Sequence, residues 1–268
     1  MKMNFKKSAF TLAETLIVIG IIGVIASLTI PTLSNETNSK EVVTKLKKTQ
    51  AILEDAFGRA EAQYGSLDDW TALNTTTFTQ RMTGTMKLAK VCSTTADDTG
   101  CFGTQNTANF MKLDGTVTTA AKGSTLGKVV LADDSAVGFY LEQTSSKDCN
   151  KDVTSNNASL PDLHKVCGVI TVDINGASKG KSIWGRDLFA FYITKHGLYP
   201  VGMDGDTNAK FKENCITTVA AGNAGTGCTA WVVTNGNMDY TDVNSSDGKC
   251  LKGNTSAKLG WQNQTSCR

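Results

Sequence analysis

The strongest pattern in the chain is an apolar run near its start. From Leu16 to Ile30 no residue is charged, and Phe10 to Ala13 extend the run to about 20 residues, enough for a helix to cross a hydrocarbon core of ~30 Å. Past Pro31 the period changes. Val42, Val43, Leu46, Leu53, Ala56, Phe57, Ala60 and Tyr64 recur at helical intervals, and Lys45, Lys47, Lys48, Glu54 and Arg59 fall largely between them. That is the pattern of an amphipathic helix with one face on a core. A helix from Phe10 to about Tyr64, stopped at Gly65-Ser66, is the expectation, its second half facing a sheet.

Strand signals follow. Lys128 to Leu131 and Val137 to Leu141 flank Asp133-Asp134-Ser135 as a hairpin. Gly168 to Ile174 ends at Asn175-Gly176, and Leu188 to Ile193 and Trp231 to Thr234 complete an antiparallel set. The stretch from Leu67 to Thr125 is rich in Thr, Asp and Gly, with little periodicity. A long helix on such a sheet predicts an α+β arrangement.

Composition narrows the setting. Twenty-seven basic and 25 acidic residues leave a net charge of +2, with no basic footprint for nucleic acid. Lys2, Lys6 and Lys7 precede the apolar run, and the positive-inside rule would keep that flank cytoplasmic and everything after Pro31 outside. Eight cysteines, Cys92, Cys101, Cys149, Cys167, Cys215, Cys228, Cys250 and Cys267, all follow the run. An even count confined to the exported part predicts disulfides. Pairing each cysteine with its neighbour would staple four local loops. Zinc is the rival, but the Cys-x-x-Cys spacing it favours does not occur.

Glu14 stands within the apolar run, where an ionisable side chain is costly and reads as functional. Ahead of it, Ser8-Ala9-Phe10 sets a small residue before an aromatic at the junction of basic leader and apolar helix. A signal-peptide cut at Ile25-Ala26-Ser27 would use a poor site. These residues resemble the type IV prepilins and the pseudopilins of type II secretion, with Phe10-Thr11-Leu12-Ala13-Glu14 matching the family's Phe-Thr-Leu-x-Glu. Two departures are Ala9 for the usual glycine and Ala13 for a larger aliphatic residue.

The resemblance implies cleavage between Ala9 and Phe10 by a prepilin peptidase, N-methylation of Phe10, a helix kink at Pro31, and assembly in which Glu14 neutralises the Phe10 amine of a neighbouring subunit. It implies a pilin-like fold, its apolar helical half a membrane or filament core and its antiparallel head stapled by disulfides. The expected division is a leader over 1–9, a transmembrane and polymerisation helix over 10–31, its amphipathic continuation over 32–65, and an extracytoplasmic head over 66–268. The expected function is a structural subunit of a type IV pilus or type II secretion pseudopilus, held in the bacterial inner membrane with its N-terminus cytoplasmic and then displayed as a filament. The implied partners are like subunits, the peptidase, and an inner-membrane assembly platform with its ATPase. A minor tip subunit and a membrane-anchored binding or adhesion module that never polymerises stand as alternatives.

Val172 to Gly176 and Gly185 to Phe191 also resemble, more loosely, a head segment of pseudopilin-like proteins. Asp204, Asp206 and Asn208 alternate as in calcium loops, yet Asp, Gly and Asn also dominate plain turns and the later bidentate glutamate is missing. Calcium is thus the one cofactor the sequence suggests, and Asp173 and Asn175 read as turn residues. His164 reads as an exposed loop residue and His196-Gly197 as a turn. No nucleophile elbow, phosphate loop or metal-spaced cluster points to an enzyme. The cysteine-flanked segment from Gly227 to Tyr240 reads as a stapled loop with an aromatic anchor and a surface role.

Overall fold

A computed structural model describes residues 11–67, 70, 74–93, 101–102, 110–118, 127–142, 149–155, 157–176, 179–216, 225–244 and 246–268, with backbone alone at 28 and 30–36. The expected leader and the processing residues Ala9 and Phe10 lie outside them. Helix α1 spans Leu12–Tyr64, 53 residues, and the chain divides into two compact units, Met1–Glu41 and Val42–Arg268.

In the first unit the helix is apolar and bare over its early turns. Leu12, Leu16, Ile17, Val18, Ile19, Ile21, Ile22, Val24 and Ile25 are each between 53% and 81% exposed. Ser27 and Thr29 turn their hydroxyls back on the carbonyls of Val24 and Ile25, at 2.8 and 3.0 Å, so these two donors do not interrupt the apolar surface.

The second unit builds its core from the periodicity read in the sequence. Val43, Leu46, Leu53, Ala56, Phe57 and Ala60 of α1 are all buried. The helix stops where Gly65 takes a φ of 81°, a left-handed conformation that favours glycine. A short helix, α2 (Thr75–Thr83), is capped by Asn74, which accepts from the Thr77 N–H. Among the described residues eight strands follow: β1 (Leu88–Val91), β2 (Phe110–Met111), β3 (Gly127–Leu131), β4 (Ala136–Leu141), β5 (Val166–Asp173), β6 (Ser182–Ile183), β7 (Leu188–Thr194) and β8 (Gly197–Pro200). Six form one antiparallel sheet in the order β1-β3-β4-β5-β7-β8, while β2 and β6 pair in parallel.

The central strands are buried on both faces. Phe189, Phe191 and Ile193 join Ile170, Val172 and Phe139 in the cluster that contains the α1 residues. The alternate residues Leu188, Ala190 and Tyr192 pack with Val153, Leu163 and Val201 on the opposite side. Period-two alternation therefore places two apolar sets on two faces, both covered, and the strands lose the polar stripe of a half-exposed sheet.

The expected pilin-like α+β fold with a membrane or filament core is corrected here. No helix of the described residues is long and apolar enough to cross a membrane. The physical reason lies at the start of α1. Thr11 and Glu14 form a polar helix terminus inside the run counted from Phe10, which shortens the apolar stretch that a span would use. The second unit is mixed α/β, with a parallel β2–β6 pair beside the antiparallel sheet. Its third helix, α3 (Thr229–Asn235), stands where a strand was expected over Trp231 to Thr234.

Candidate functional site

At the start of α1, Glu14 Oε2 accepts from the Thr11 N–H at 2.8 Å and from the Thr11 hydroxyl at 2.9 Å. The Thr11 Oγ1 in turn accepts from the Glu14 N–H at 3.3 Å. This reciprocal pair is a capping box, which satisfies backbone donors that the first helical turn leaves free. Sequence reasoning singled out Glu14 for its charge and missed its local partner, although the T-x-x-E spacing was the signal for it. Both hydrogen bonds use the same carboxylate oxygen. Added methyl groups at Gly20 and Gly23 would meet nothing within 4 Å among the described residues. Helix α1 continues through Pro31; the Pro31 side chain lies outside the described residues.

The eight cysteines form four disulfides, each with its neighbour in sequence: Cys92–Cys101, Cys149–Cys167, Cys215–Cys228 and Cys250–Cys267. The neighbour pairing expected from loop size is the one observed.

The 204–208 loop is organised around Asp206, which is buried. Its Oδ2 accepts from the Tyr192 hydroxyl and the Gly202 N–H, both at 3.0 Å. Its Oδ1 accepts from the N–H groups of Asn208 at 2.9 Å and Ala209 at 2.8 Å. Four internal donors thus hold this carboxylate as the pin of a turn. Asp204 is exposed and accepts from Gln262 Nε2 at 2.6 Å. Among the described residues no group of three or more His, Cys, Asp or Glu could hold a metal ion. Asp173 ends β5 and its side chain holds the turn that follows, its Oδ1 accepting from the N–H groups of Asn175 and Gly176.

His164 is more engaged than its reading as an exposed loop residue implied. Its Nδ1 lies 2.9 Å from Thr154 Oγ1 and 3.1 Å from Asp152 Oδ1, and its Nε2 lies 2.9 Å from the Asn157 carbonyl. His196 sits in the turn between β7 and β8, as expected. Trp231 of the Gly227 to Tyr240 segment is fully buried and stacks on Phe211 with ring centroids 4.0 Å apart. It is a core residue; Trp261 packs on both rings and is partly exposed. Trp261 lines a groove of about 640 Å³ between the 203–212 loop and the C-terminal segment.

No family model matches the chain, and no curated protein or solved structure matches it.

Proposed function

We propose that the chain is a structural subunit of a filament of the type IV pilus or type II secretion pseudopilus kind, processed between Ala9 and Phe10 and assembled with copies of itself or similar subunits through its N-terminal helix. The observation that carries the proposal is the bare apolar surface of α1 in the first unit, nine large aliphatic side chains more than half exposed. Burying one such side chain stabilises by roughly 1.5–3 kcal/mol, so a surface of this extent demands a cover. Helices of the same kind supply one, and a charged residue at the head of the apolar stretch would set the register between them. The motif Phe10-Thr11-Leu12-Ala13-Glu14 supports the same reading, since cleavage creates the Phe10 amine that Glu14 would meet. Disulfides throughout the second unit suit display in an oxidising setting outside the cytoplasm. Prepilin peptidase and an assembly platform with its ATPase are the partners this reading requires.

The capping box provides a clean test. Glutamine serves the third position of a capping box as well as glutamate does, so Glu14→Gln keeps the helix cap and removes the charge. In cells expressing the full chain, the native protein is expected in the sheared extracellular fraction and Glu14→Gln is not. Equal recovery of the two would show that Glu14 acts only as a cap and would overturn its assembly role.

A further inference from the structure

We propose that the groove walled by Trp261 binds a neutral, β-linked oligosaccharide of two or three sugar units. Its dimensions suit one, since about 640 Å³ lies within the range of small-ligand sites. One wall is aromatic, with Trp261 held by its neighbours. Trp261 packs on Trp231 and Phe211, with centroids 5.3 and 5.8 Å away, and its indole N–H donates to the Gly202 carbonyl at 3.2 Å. The ring is therefore held in place before a ligand arrives, and its exposed part gives the groove an apolar aromatic surface.

Around this surface stand short polar groups with both donors and acceptors. Gln262, Asn263, Asp204 and Lys258 line the same groove, and the Gln262 to Asp204 hydrogen bond, 2.6 Å, ties the two banks together. The disulfides Cys215–Cys228 and Cys250–Cys267 staple the segments that carry these banks. An aromatic surface ringed by amide, carboxylate and ammonium groups matches a pyranose, whose C–H face is apolar and whose hydroxyls at the rim donate and accept. Three lysines and three aspartates line the groove. That balance argues against a phosphate-rich ligand, and the polar rim argues against a lipid tail. A β-linked chain with equatorial hydroxyls lies flat on such a surface, whereas an α-linked chain curves away from it.

The site is independent of assembly through α1, and its test reads binding alone. The full chain is titrated with cellotriose, and with maltotriose for comparison, by calorimetry and by tryptophan fluorescence. Saturable binding of cellotriose, weaker binding of maltotriose, and loss of binding in Trp261→Ala are expected. Trp261→Phe, which keeps an aromatic ring, should weaken affinity by roughly tenfold or less, and Asn263→Ala on the rim should weaken it while leaving the circular dichroism of the native chain. Absence of a saturable signal with cellotriose, preference for maltotriose, or native affinity in both Trp261→Phe and Asn263→Ala would overturn the proposal.

Discussion

Asp173 at the end of β5 is fully buried, and burial pushes its carboxyl up from 3.8 to about 6 against the pull of three hydrogen bonds. Those bonds come from the Ser182 hydroxyl on β6 and from the N–H groups of Asn175 and Gly176. Between the unfolded value of 3.8 and the folded value of about 6, the native state keeps a proton that the unfolded chain has released. Stability from this group is therefore full below the unfolded value and is lost as the pH rises through the folded one. The difference is worth about 3 kcal/mol between acid and neutral conditions. Burial also raises the neighbouring Asp187, which contributes with the same sign. Asp173→Asn retains the geometry, because the amide oxygen can accept from both N–H groups while the amide nitrogen donates to Ser182 Oγ. The substitution should leave stability near pH ~4 unchanged and raise it at neutral pH by up to about 3 kcal/mol, so that the pH slope largely disappears. Chemical denaturation across this range, disulfides intact, measures it. A variant less stable than the native chain at neutral pH, with a native slope that rises with pH, would show that the three donors outweigh burial, and would refute the reasoning.

Other positions give independent checks. A methyl group on Gly168 would stand 2.1 Å from the Tyr140 carbonyl oxygen, across the β4–β5 pairing, so Gly168→Ala should cost roughly 1–3 kcal/mol and lower the thermal midpoint; an unchanged midpoint would contradict the register. Trp231→Ala should destabilise by roughly 3–5 kcal/mol by denaturant titration, as loss of a core aromatic does, whereas a surface anchor would cost little. Replacing Cys250 and Cys267 together by serine should lower stability by roughly 2–4 kcal/mol, and no shift in the denaturation midpoint would count against that staple.

The sequence carried the elements that periodicity controls. The buried stripe from Val43 to Ala60 and the β3–β4 hairpin across Asp133-Asp134-Ser135 stand where the pattern placed them. The disulfide pairing was legible because short loops favour neighbours. Trp231-Val232-Val233 misled because its β-branched and aromatic residues suit a strand. In the fold they form a helix closed by Gly236 at a φ of 64°, whose N–H donates to the Val232 carbonyl. Tertiary packing of Trp231 on Phe211 overrides the local preference. The apolar run misled in another way, because counting from Phe10 ignored the polar terminus that Thr11 and Glu14 make together. The groove at Trp261 had no local signature at all. It joins residues more than 50 positions apart, as the hydrogen bond from Gln262 to Asp204 shows, and only the folded chain brings them together.

The central claim is that the chain is processed to a new N-terminus and assembles through its apolar helix, and the mass of the intact N-terminus in sheared extracellular material tests it most directly. A chain beginning at methylated Phe10, present with native Glu14 and missing with Glu14→Gln, is the predicted result. An intact Met1, or a cut near Ala26, would contradict it.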